Sequence, residues 1–264
     1  MGQVSAMSGA YRGTLSALHR HPVKGFTPEA LASALLEPGL CFPCDRLYAV
    51  EDGPSGFDPA APRHISKIRF IVLANIAAVA QVRTRYDEAA GELLAKAPGR
   101  KPFRAVLANA TGRAAFANWL QQVLGDQASG PLRVLEAPGE HRFMDSRAGF
   151  VSLINLASVR DLEAKVGRPL DPLRFRANLY VDGWPPWVEN ACIGGTVAIG
   201  DVRAAVTKPT GRCRAIHVDP HRGVEDIDLV SQLFNHFGHT VMGVYLTVEK
   251  GGRIGAGDAL EMTP

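Results

Sequence analysis

The stretch GGTVAIGDVRAAVTKPTGRCRAIHVDP, Gly194 to Pro220, predicts two β-strands that turn at Gly200-Asp201. Apolar and polar residues alternate on both sides of this turn, as they do in a strand with one buried face. The second strand runs into Cys213, which has an arginine on each side. A thiol near positive charge tends to be the thiolate, the form that attacks electrophiles and binds soft metals. The stretch therefore combines a β fold with a candidate reactive group.

Short strands are also predicted over most of the remaining chain. They fall in LSALHRHPVKGFTPEAL, GLCFPCDRLYAVED, RFRANLYVDG and VMGVYLTVEKGGRIGAGDALEM, the last with two strands. The stretch SKIRFIVLANIAAVAQVRTRYDE predicts a strand followed by a short helix or a second strand. Many short strands with few helices indicate a mostly β protein with helices, arranged as barrels or sandwiches.

Three helices interrupt the strands. The clearest, TGRAAFANWLQQVLG, spaces its apolar residues as a helix does and ends at Gly125. A second is predicted over Ser158 to Val166, with Ser158 as its N-cap. A third runs from Leu229 to Phe237 and ends at Gly238. Its predicted buried residues are Leu229, Leu233, Phe234 and Phe237.

The chain has 264 residues, of which 46% are hydrophobic, enough for one large or two modest domains. Its net charge of +3 and its pI of about 8.7 suit a small anionic ligand better than nucleic acid, because there is no long basic run. No apolar stretch is long enough for a signal peptide or a membrane span. Four cysteines in a chain of this length do not make a disulfide framework. We therefore expect a cytoplasmic protein with no nucleic-acid or membrane partner.

Two groups of residues have spacings found in metal sites. Cys41 and Cys44 form a CFPC motif, but a structural zinc ion needs four ligands and no second CxxC follows. A turn leading into a strand is the preferred interpretation of that motif. Cys213, His217 and His221 follow one another at i+4 spacing. On a strand this spacing separates residues by roughly 13 Å, too far for a shared zinc ion.

The segment RFRAN offers a candidate anion site. Strand alternation would place Arg174, Arg176 and Asn178 on one face, as either an anion clamp or an ordinary exposed face. On a strand, Arg212 and Arg214 would point away from the sulfur of the cysteine between them. The residues alone therefore do not show an activated thiol, and they favour a buried, inert cysteine.

Several of these stretches resemble, in the same order, one known family. They are HPVKG, GLCFPCDRLYAVEDG, WLQQVLG, RFRANLYVDG, AIGDVRAAVTKPTGRCRAIHVDPHRG and MGVYLTVEKGGRIGAGDAL. From about Leu15 to Met262, the chain resembles a MOSC protein with its N-terminal companion domain. The resemblance implies a smaller β-rich domain over residues 14–140 and a β-barrel MOSC domain over residues 145–262.

Characterised proteins of similar sequence are molybdenum-dependent reductases of N-hydroxylated compounds, including the mitochondrial amidoxime-reducing component and its bacterial counterparts. By this resemblance, Cys213 is the catalytic thiolate that binds the metal of the molybdenum–molybdopterin cofactor. The residues implied to hold the pterin and its phosphate are Lys24, Gly25, Arg46, Asn155, Ser158, Arg176, Asn178 and Arg212. Electrons would come from a separate ferredoxin-, flavodoxin- or cytochrome-type partner, because no flavin, haem or iron–sulfur motif is visible. The chemistry would be independent of pyridoxal phosphate.

The chain departs from the reductase pattern at Gly25, where a serine is common, and at Ala177, where a proline is usual. The resemblance also implies a rival function. Other MOSC proteins are proposed to carry sulfur as a cysteine persulfide, which Cys213 could hold without molybdenum. A third interpretation is a barrel-shaped binding protein whose cysteine has lost its function.

Overall fold

The computed structural model describes residues 9–146 and 150–264 of the chain. Strands account for 34% of the residues and helices for 23%, which confirms the predicted mostly β fold with helices. Within the described ranges, no helix combines the length and apolar character that crossing a lipid bilayer requires.

The strands and helices are numbered here in chain order. The strands are β1 Tyr11–Arg20, β2 Glu29–Leu31, β3 Ser33–Leu36, β4 Tyr48–Asp52, β5 Arg83–Asp87, β6 Glu92–Lys96, β7 Phe103–Val106, β8 Leu132–Glu136, β9 Val151–Asn155, β10 Leu179–Asp182, β11 Thr196–Ile199, β12 Val202–Gly211, β13 Val241–Lys250, β14 Gly252–Gly255 and β15 Ala259–Thr263. The α-helices are α1 Ala110–Leu124, α2 Leu156–Val166, α3 Val188–Ala191 and α4 Leu229–Phe237.

Seven strands close into a barrel. They are ordered β10-β9-β13-β12-β11-β15-β1, and β10 also pairs with β1, which completes the ring. β1 pairs with β15 along its first half and with β10 along its second half. Alternate residues of each strand point inward and fill the interior. Among these interior residues, each at most 1% exposed, are Leu15, Leu153, Val181, Val197, Val206 and Val244.

The elements between β1 and β9 build a second core. It combines the β4–β8 pair, the β5-β6-β7 sheet and α1, with Phe26, Leu93 and Phe116 fully buried. β1 precedes these elements in the sequence, yet it lies in the barrel with the C-terminal strands. The barrel therefore uses residues from both predicted segments, and the boundaries 14–140 and 145–262 stay a prediction.

The structure confirms the predicted helices at α1 and α4. Each ends at the predicted cap, Gly125 for α1 and the left-handed Gly238 for α4. The predicted burial of Phe234 on α4 was wrong, since its side chain is 61% exposed. The buried stripe of this helix follows Leu229 and Leu233, and a residue five positions beyond the first of these falls outside it.

The second helix begins earlier than predicted. Its N-cap is Asn155, whose side chain accepts a hydrogen bond from the Ala157 amide at 3.0 Å. Asparagine caps helices as well as serine does, and Asn155 is already in place at the end of β9. Ser158, the predicted cap, lies inside the helix and donates its hydroxyl hydrogen to Glu189 at 2.8 Å.

Three strand predictions need correction. In RFRANLYVDG only β10 is a strand, because Pro172–Phe175 is a 3-10 helix and Arg176 has a left-handed φ of 52°. In SKIRFIVLANIAAVAQVRTRYDE the residues Lys67–Arg69 and Ala77–Gln81 form 3-10 turns before β5. The C-terminal stretch holds three strands, β13 to β15, where two were predicted. The hairpin turning at Gly200-Asp201 is confirmed by β11 and β12.

Candidate functional site

A cavity of about 550 Å³ lies between the barrel and the N-terminal elements. The loop after β1, the turn before β4 and the segment around residues 67–74 form one side of it. The other side comes from residues 174–176, from the end of β12 and from β13. The predicted site residues that line it are Lys24, Gly25, Arg46, Arg176, Arg212 and Cys213.

The lining is strongly cationic. Asp145 is the only carboxylate among the described lining residues, against seven basic side chains. These are Lys24, Arg46, Lys67, Arg174, Arg176, Lys208 and Arg212. Such an excess of positive charge in a concave site attracts anions.

Four of the cations have nearby carboxylate partners, and one of these, Lys67, lies 3.8 Å from Asp145. Lys24 donates to Asp145 and to the Phe143 carbonyl, the latter at 2.9 Å. Arg46 donates to the buried Asp45, next to it in sequence. Arg174 has its closest carboxylate contact with Asp226, at 2.9 Å. In the Lys24 pair, burial opposes ionisation of Asp145, but the cations around it lower its pKa to about 2.

Arg176 and Arg212 have no ion pair among the described residues. Arg176 donates to the Phe26 carbonyl at 2.7 Å, and Arg212 donates to the carbonyls of Phe175 at 2.7 Å and Met242 at 2.9 Å. Burial lowers the pKa of both guanidiniums, Arg46 adds to the effect at Arg176, and each pKa falls to about 10. Both remain charged at neutral pH, so an anion placed here would supply the missing negative charge.

Two of the lining arginines have a backbone conformation that non-glycine residues rarely adopt. Arg46 has φ 51° and Arg176 has φ 52°, both in the left-handed region. In the described chain, only Cys44 and Trp187 share this feature among residues other than glycine. Such conformations cost about 1–3 kcal/mol each and cluster at functional sites. The site therefore keeps these two guanidiniums in place at a cost in stability.

Cys213 stands on the cavity wall just after β12, and it is partly buried. Lys67 lines the same cavity, where its positive charge interacts with the Cys213 side chain, and its ammonium lies 3.8 Å from the Asp145 carboxylate. Arg214 points outward and pairs with Glu225 at 2.7 Å, as predicted. Arg212 lines the cavity, so the prediction that both neighbours face away from the site was wrong for Arg212.

Lys208 and Thr210 were missed as site residues. Thr210 is 4% exposed, and its hydroxyl has no hydrogen-bond partner among the described residues although it lines the cavity. Lys208 Nζ lies 5.5 Å from the centre of the Tyr245 ring, a cation–π contact without a carboxylate. Both stand in KPTGRC, at alternate positions before Arg212, whereas alternation counted back from Cys213 selects Gly211 and Pro209.

Three predicted contacts lie outside the cavity. Asn178 is fully buried and accepts hydrogen bonds from the amide and the hydroxyl of Ser152. Asn155 and Ser158 bind the buried carboxylate of Glu189, at 2.9 and 2.8 Å. None of the three is part of the cavity lining. Their polar groups already serve the fold, so the structure does not place them against a ligand in this cavity.

Gly25 is required by the backbone. Its φ is +87°, and an added Cβ would lie 2.5 Å from the Ile71 carbonyl oxygen and 2.8 Å from Val72 Cα. A serine, common at this position in the reductases, would therefore clash with the cavity wall. In this chain Gly25 lets the Ile71–Val72 backbone pack closely against it, and it has no side chain to contact a ligand.

The CFPC motif forms a turn before β4, as predicted. Burial raises the pKa of Cys41 to about 11, and burial together with Glu88 raises that of Cys44 to about 12. Both thiols are therefore protonated and unreactive at neutral pH. In the described ranges, no group of three or more His, Cys, Asp or Glu side chains could hold a metal ion.

The closed barrel and the cavity define a β-barrel protein with a cationic, thiol-bearing site. Two family models match the chain in order: the MOSC N-terminal beta barrel domain over residues 12–131 and the MOSC domain over residues 138–261. The chain belongs to the MOSC family and carries the family's N-terminal β-barrel domain.

Curated relatives include two proteins named molybdenum cofactor sulfurase. The one from Caenorhabditis elegans is 31% identical over 137 residues, which are 48% of this chain and 18% of the relative. The one from Drosophila grimshawi is 32% identical over 142 residues, 50% of this chain and 17% of the relative. The matches therefore span less than a fifth of the length of these relatives.

Solved structures with a similar arrangement are more distant in sequence. The YUAD protein from Bacillus subtilis is 13% identical, with a TM-score of 0.49, and the alignment covers 97% of this chain and 98% of that one. YiiM from Geobacillus stearothermophilus is 18% identical, with a TM-score of 0.36, and the alignment covers 50% of this chain and 67% of that one.

Proposed function

We propose that this chain binds the molybdenum cofactor in the cationic cavity and reduces N-hydroxylated or N-oxide compounds, with Cys213 as a ligand to molybdenum. One observation carries the proposal. A single cavity holds the Cys213 thiol, two partly buried arginines and the Thr210 hydroxyl. Among the described residues, neither arginine has a carboxylate partner and the hydroxyl has no hydrogen-bond partner. The names of the curated relatives add support for a link to this cofactor.

The donor set fits an anionic cofactor with a soft metal. Arginine binds phosphate in a bidentate manner, so Arg46, Arg176 and Arg212 suit the phosphate and the polar edge of the pterin. Lys24, Lys208 and Thr210 add donors to the same lining. A thiolate is the soft ligand that suits a sulfur-rich metal site. Bound there, the cofactor would supply the two-electron removal of an oxygen atom from nitrogen.

The chain's own residues would position the reactants. Reduction of an N-hydroxyl group consumes two electrons and two protons: the N–O bond breaks, an N–H bond forms and water leaves. The electrons would come from a separate ferredoxin-, flavodoxin- or cytochrome-type protein. Lys67, which lines the cavity with Cys213 and lies close to Asp145, would keep a positive charge near the sulfur.

A second candidate function is sulfur transfer, with a persulfide carried on Cys213. The similarity to proteins named molybdenum cofactor sulfurase favours it. The same cations would then hold the cofactor as the acceptor of the sulfur atom. This function needs Cys213 as a nucleophile, whereas the reductase needs it as a metal ligand.

Metal analysis of protein from a host that makes the cofactor separates the two functions. The reductase predicts near-stoichiometric molybdenum with an extractable pterin, and N-oxide or N-hydroxyl reduction with an artificial electron donor. Clean protein with neither metal nor pterin would contradict it. A mass increase of about 32 Da on the Cys213 peptide, one sulfur atom, would then support the carrier.

Cysteine variants assign the reactive residue. Cys213→Ser replaces a soft sulfur with a hard oxygen, so we expect it to lose reductase activity while keeping some pterin through the cationic contacts. Cys41→Ser and Cys44→Ser should stay active, because both thiols lie in the turn before β4. Full activity in Cys213→Ser, or a loss of activity confined to the other two variants, would show that Cys213 is not the reactive cysteine.

A further inference from the structure

One long segment of the chain is basic and free of acidic residues. Between Asp58 and Asp87 there is no aspartate or glutamate, while Arg63, Lys67, Arg69, Arg83 and Arg85 all lie there. In a chain whose overall charge is only +3, this is a local concentration of positive charge. We call its first part, residues 63–69, the basic rim.

The basic rim is exposed, and most of its charge is unpaired. Arg63 and Arg69 are exposed, and neither forms an ion pair with any described residue. Between them Ile68 is 65% exposed, one of the few large apolar side chains so exposed. An apolar centre flanked by unpaired arginines resembles the surface of a protein–protein interface, where arginine is enriched.

The basic rim adjoins the candidate site through one of its residues. Lys67 belongs to the rim and lines the main cavity together with Cys213. Arg63 and His64 line an adjoining cavity of about 470 Å³, which shares Met144 with the main one. One lysine side chain therefore belongs both to this surface and to the cavity that Cys213 lines.

We propose that the basic rim is the docking surface for an acidic one-electron carrier protein. The inference rests on the proposed reductase function, because that reaction needs two electrons delivered at the metal beside Cys213. A negatively charged carrier would be attracted by Arg63 and Arg69 and would pack around Ile68. Its redox centre would then face the wall that Lys67 spans. Opposite charges on two such surfaces speed encounter and select the partner.

Binding of a strongly acidic [2Fe–2S] ferredoxin, measured by calorimetry at low salt, tests the proposal. The double variant Arg63→Glu/Arg69→Glu should weaken binding at least tenfold. Lys96→Glu/Lys101→Glu is the matched control, with the same charge change on residues that line neither cavity, and it should bind nearly as the wild type does. Binding by the wild type should weaken as salt rises, since exposed charges are screened.

Activity with a small donor separates this proposal from the proposed function. The Arg63→Glu/Arg69→Glu variant should keep wild-type activity with reduced viologen and lose activity only with ferredoxin. If the wild type showed no activity with reduced viologen, the proposed reductase function would be wrong. The docking surface would then be tested by the ferredoxin binding data alone. No wild-type binding to ferredoxin at low salt, or equal weakening in both double variants, would overturn the docking surface. Binding of a short duplex DNA tests whether the basic rim serves nucleic acid instead. If the Arg63→Glu/Arg69→Glu variant lost DNA binding but kept ferredoxin binding, the docking surface would also be overturned.

Discussion

At the scale of single residues, Arg176 shows how the cavity is kept cationic. Its guanidinium has no carboxylate partner among the described residues, lies near Arg46 and sits on a left-handed backbone. Neither the unpaired charge nor the left-handed conformation of Arg176 stabilises the protein when no anion is bound. Both become useful when an anion binds, because the cations are already in place and need not be reorganised.

We predict that two Arg176 variants differ in stability but share a loss of cofactor binding. Arg176→Gly should be about 1 kcal/mol more stable than Arg176→Ala, because glycine adopts a φ of 52° without steric cost. Both variants should lose cofactor occupancy, whereas Arg214→Ala, which points outward, should lose little. Denaturant unfolding of the apo forms and pterin analysis measure the two effects. Equal stability of the glycine and alanine variants would show that the conformation costs nothing.

His21 lies behind the cavity and makes the fold sensitive to acid. It is fully buried, 3.4 Å from Asp45, and burial lowers its pKa well below the ordinary value, as do Arg46 and Arg176. A group with a lowered folded pKa binds its proton more readily when unfolded. Its contribution to stability is therefore complete above the unfolded pKa, about 6.5, and is lost as the pH falls below it.

We predict that the free energy of unfolding falls as the pH drops below 6.5, by up to about 1.4 kcal/mol per pH unit from His21. His21→Asn should flatten that slope, although it lowers stability at neutral pH. His236→Asn removes an exposed histidine and serves as the control, with a slope like that of the wild type. Denaturant unfolding across this pH range measures the slopes. Parallel slopes in all three proteins would contradict a buried neutral His21.

At the scale of elements, the sequence predicts regular segments better than it predicts the site. α1 and α4 have local periodicity and glycine caps, so they were recognisable. The RFRAN segment failed because strand alternation assumes extended backbone, and the left-handed Arg176 breaks it. Arg176 still lines the cavity, but Asn178 does not. Lys24, Arg46 and Cys213, which the resemblance named, line one cavity, and their roles stay a prediction.

Lys67, Asp145, Lys208 and Thr210 were not identified from the sequence. Lys67 and Asp145 come from irregular segments, and no short-range pattern states which loops will meet across a cavity. Lys208 and Thr210 stand at the end of β12, where only the three-dimensional structure shows which strand face lines the cavity. Site residues from distant segments become visible only when the fold brings them together.

Gly25 packs closely against the backbone of Ile71 and Val72 in the cavity wall. We predict that a side chain at this position pushes the wall outward. Gly25→Ala should lower stability by more than Gly39→Ala does. Both glycines have left-handed φ values, +87° and +71°, but only Gly25 has backbone atoms in the way of a new Cβ. The difference therefore isolates the clash with Ile71 and Val72, about 1–3 kcal/mol for overpacking. Calorimetric or denaturant unfolding of both variants measures it, and an equal loss would place the cost in the backbone conformation alone.

At the scale of the whole molecule, barrel and cavity both depend on the start of the chain. β1 completes the ring between β10 and β15, and Leu15 and Leu18 from this strand are buried in the barrel core. Lys24 and Gly25 follow β1 directly and line the cavity opposite Cys213. The segment matched by the MOSC domain model, residues 138–261, contains neither the closing strand nor these residues.

We therefore predict that residues 138–264 alone do not form a stable barrel. Without β1, strands β10 and β15 each present an unpaired edge, and the core loses Leu15 and Leu18. Expressed alone, this segment should aggregate or show no cooperative unfolding, while the full chain unfolds cooperatively. Co-expression with residues 1–137 should recover a soluble complex, because that fragment supplies β1 to the open ring. If residues 138–264 alone unfold cooperatively and bind an anion such as phosphate, the closing strand is dispensable and the predicted C-terminal domain is complete without it.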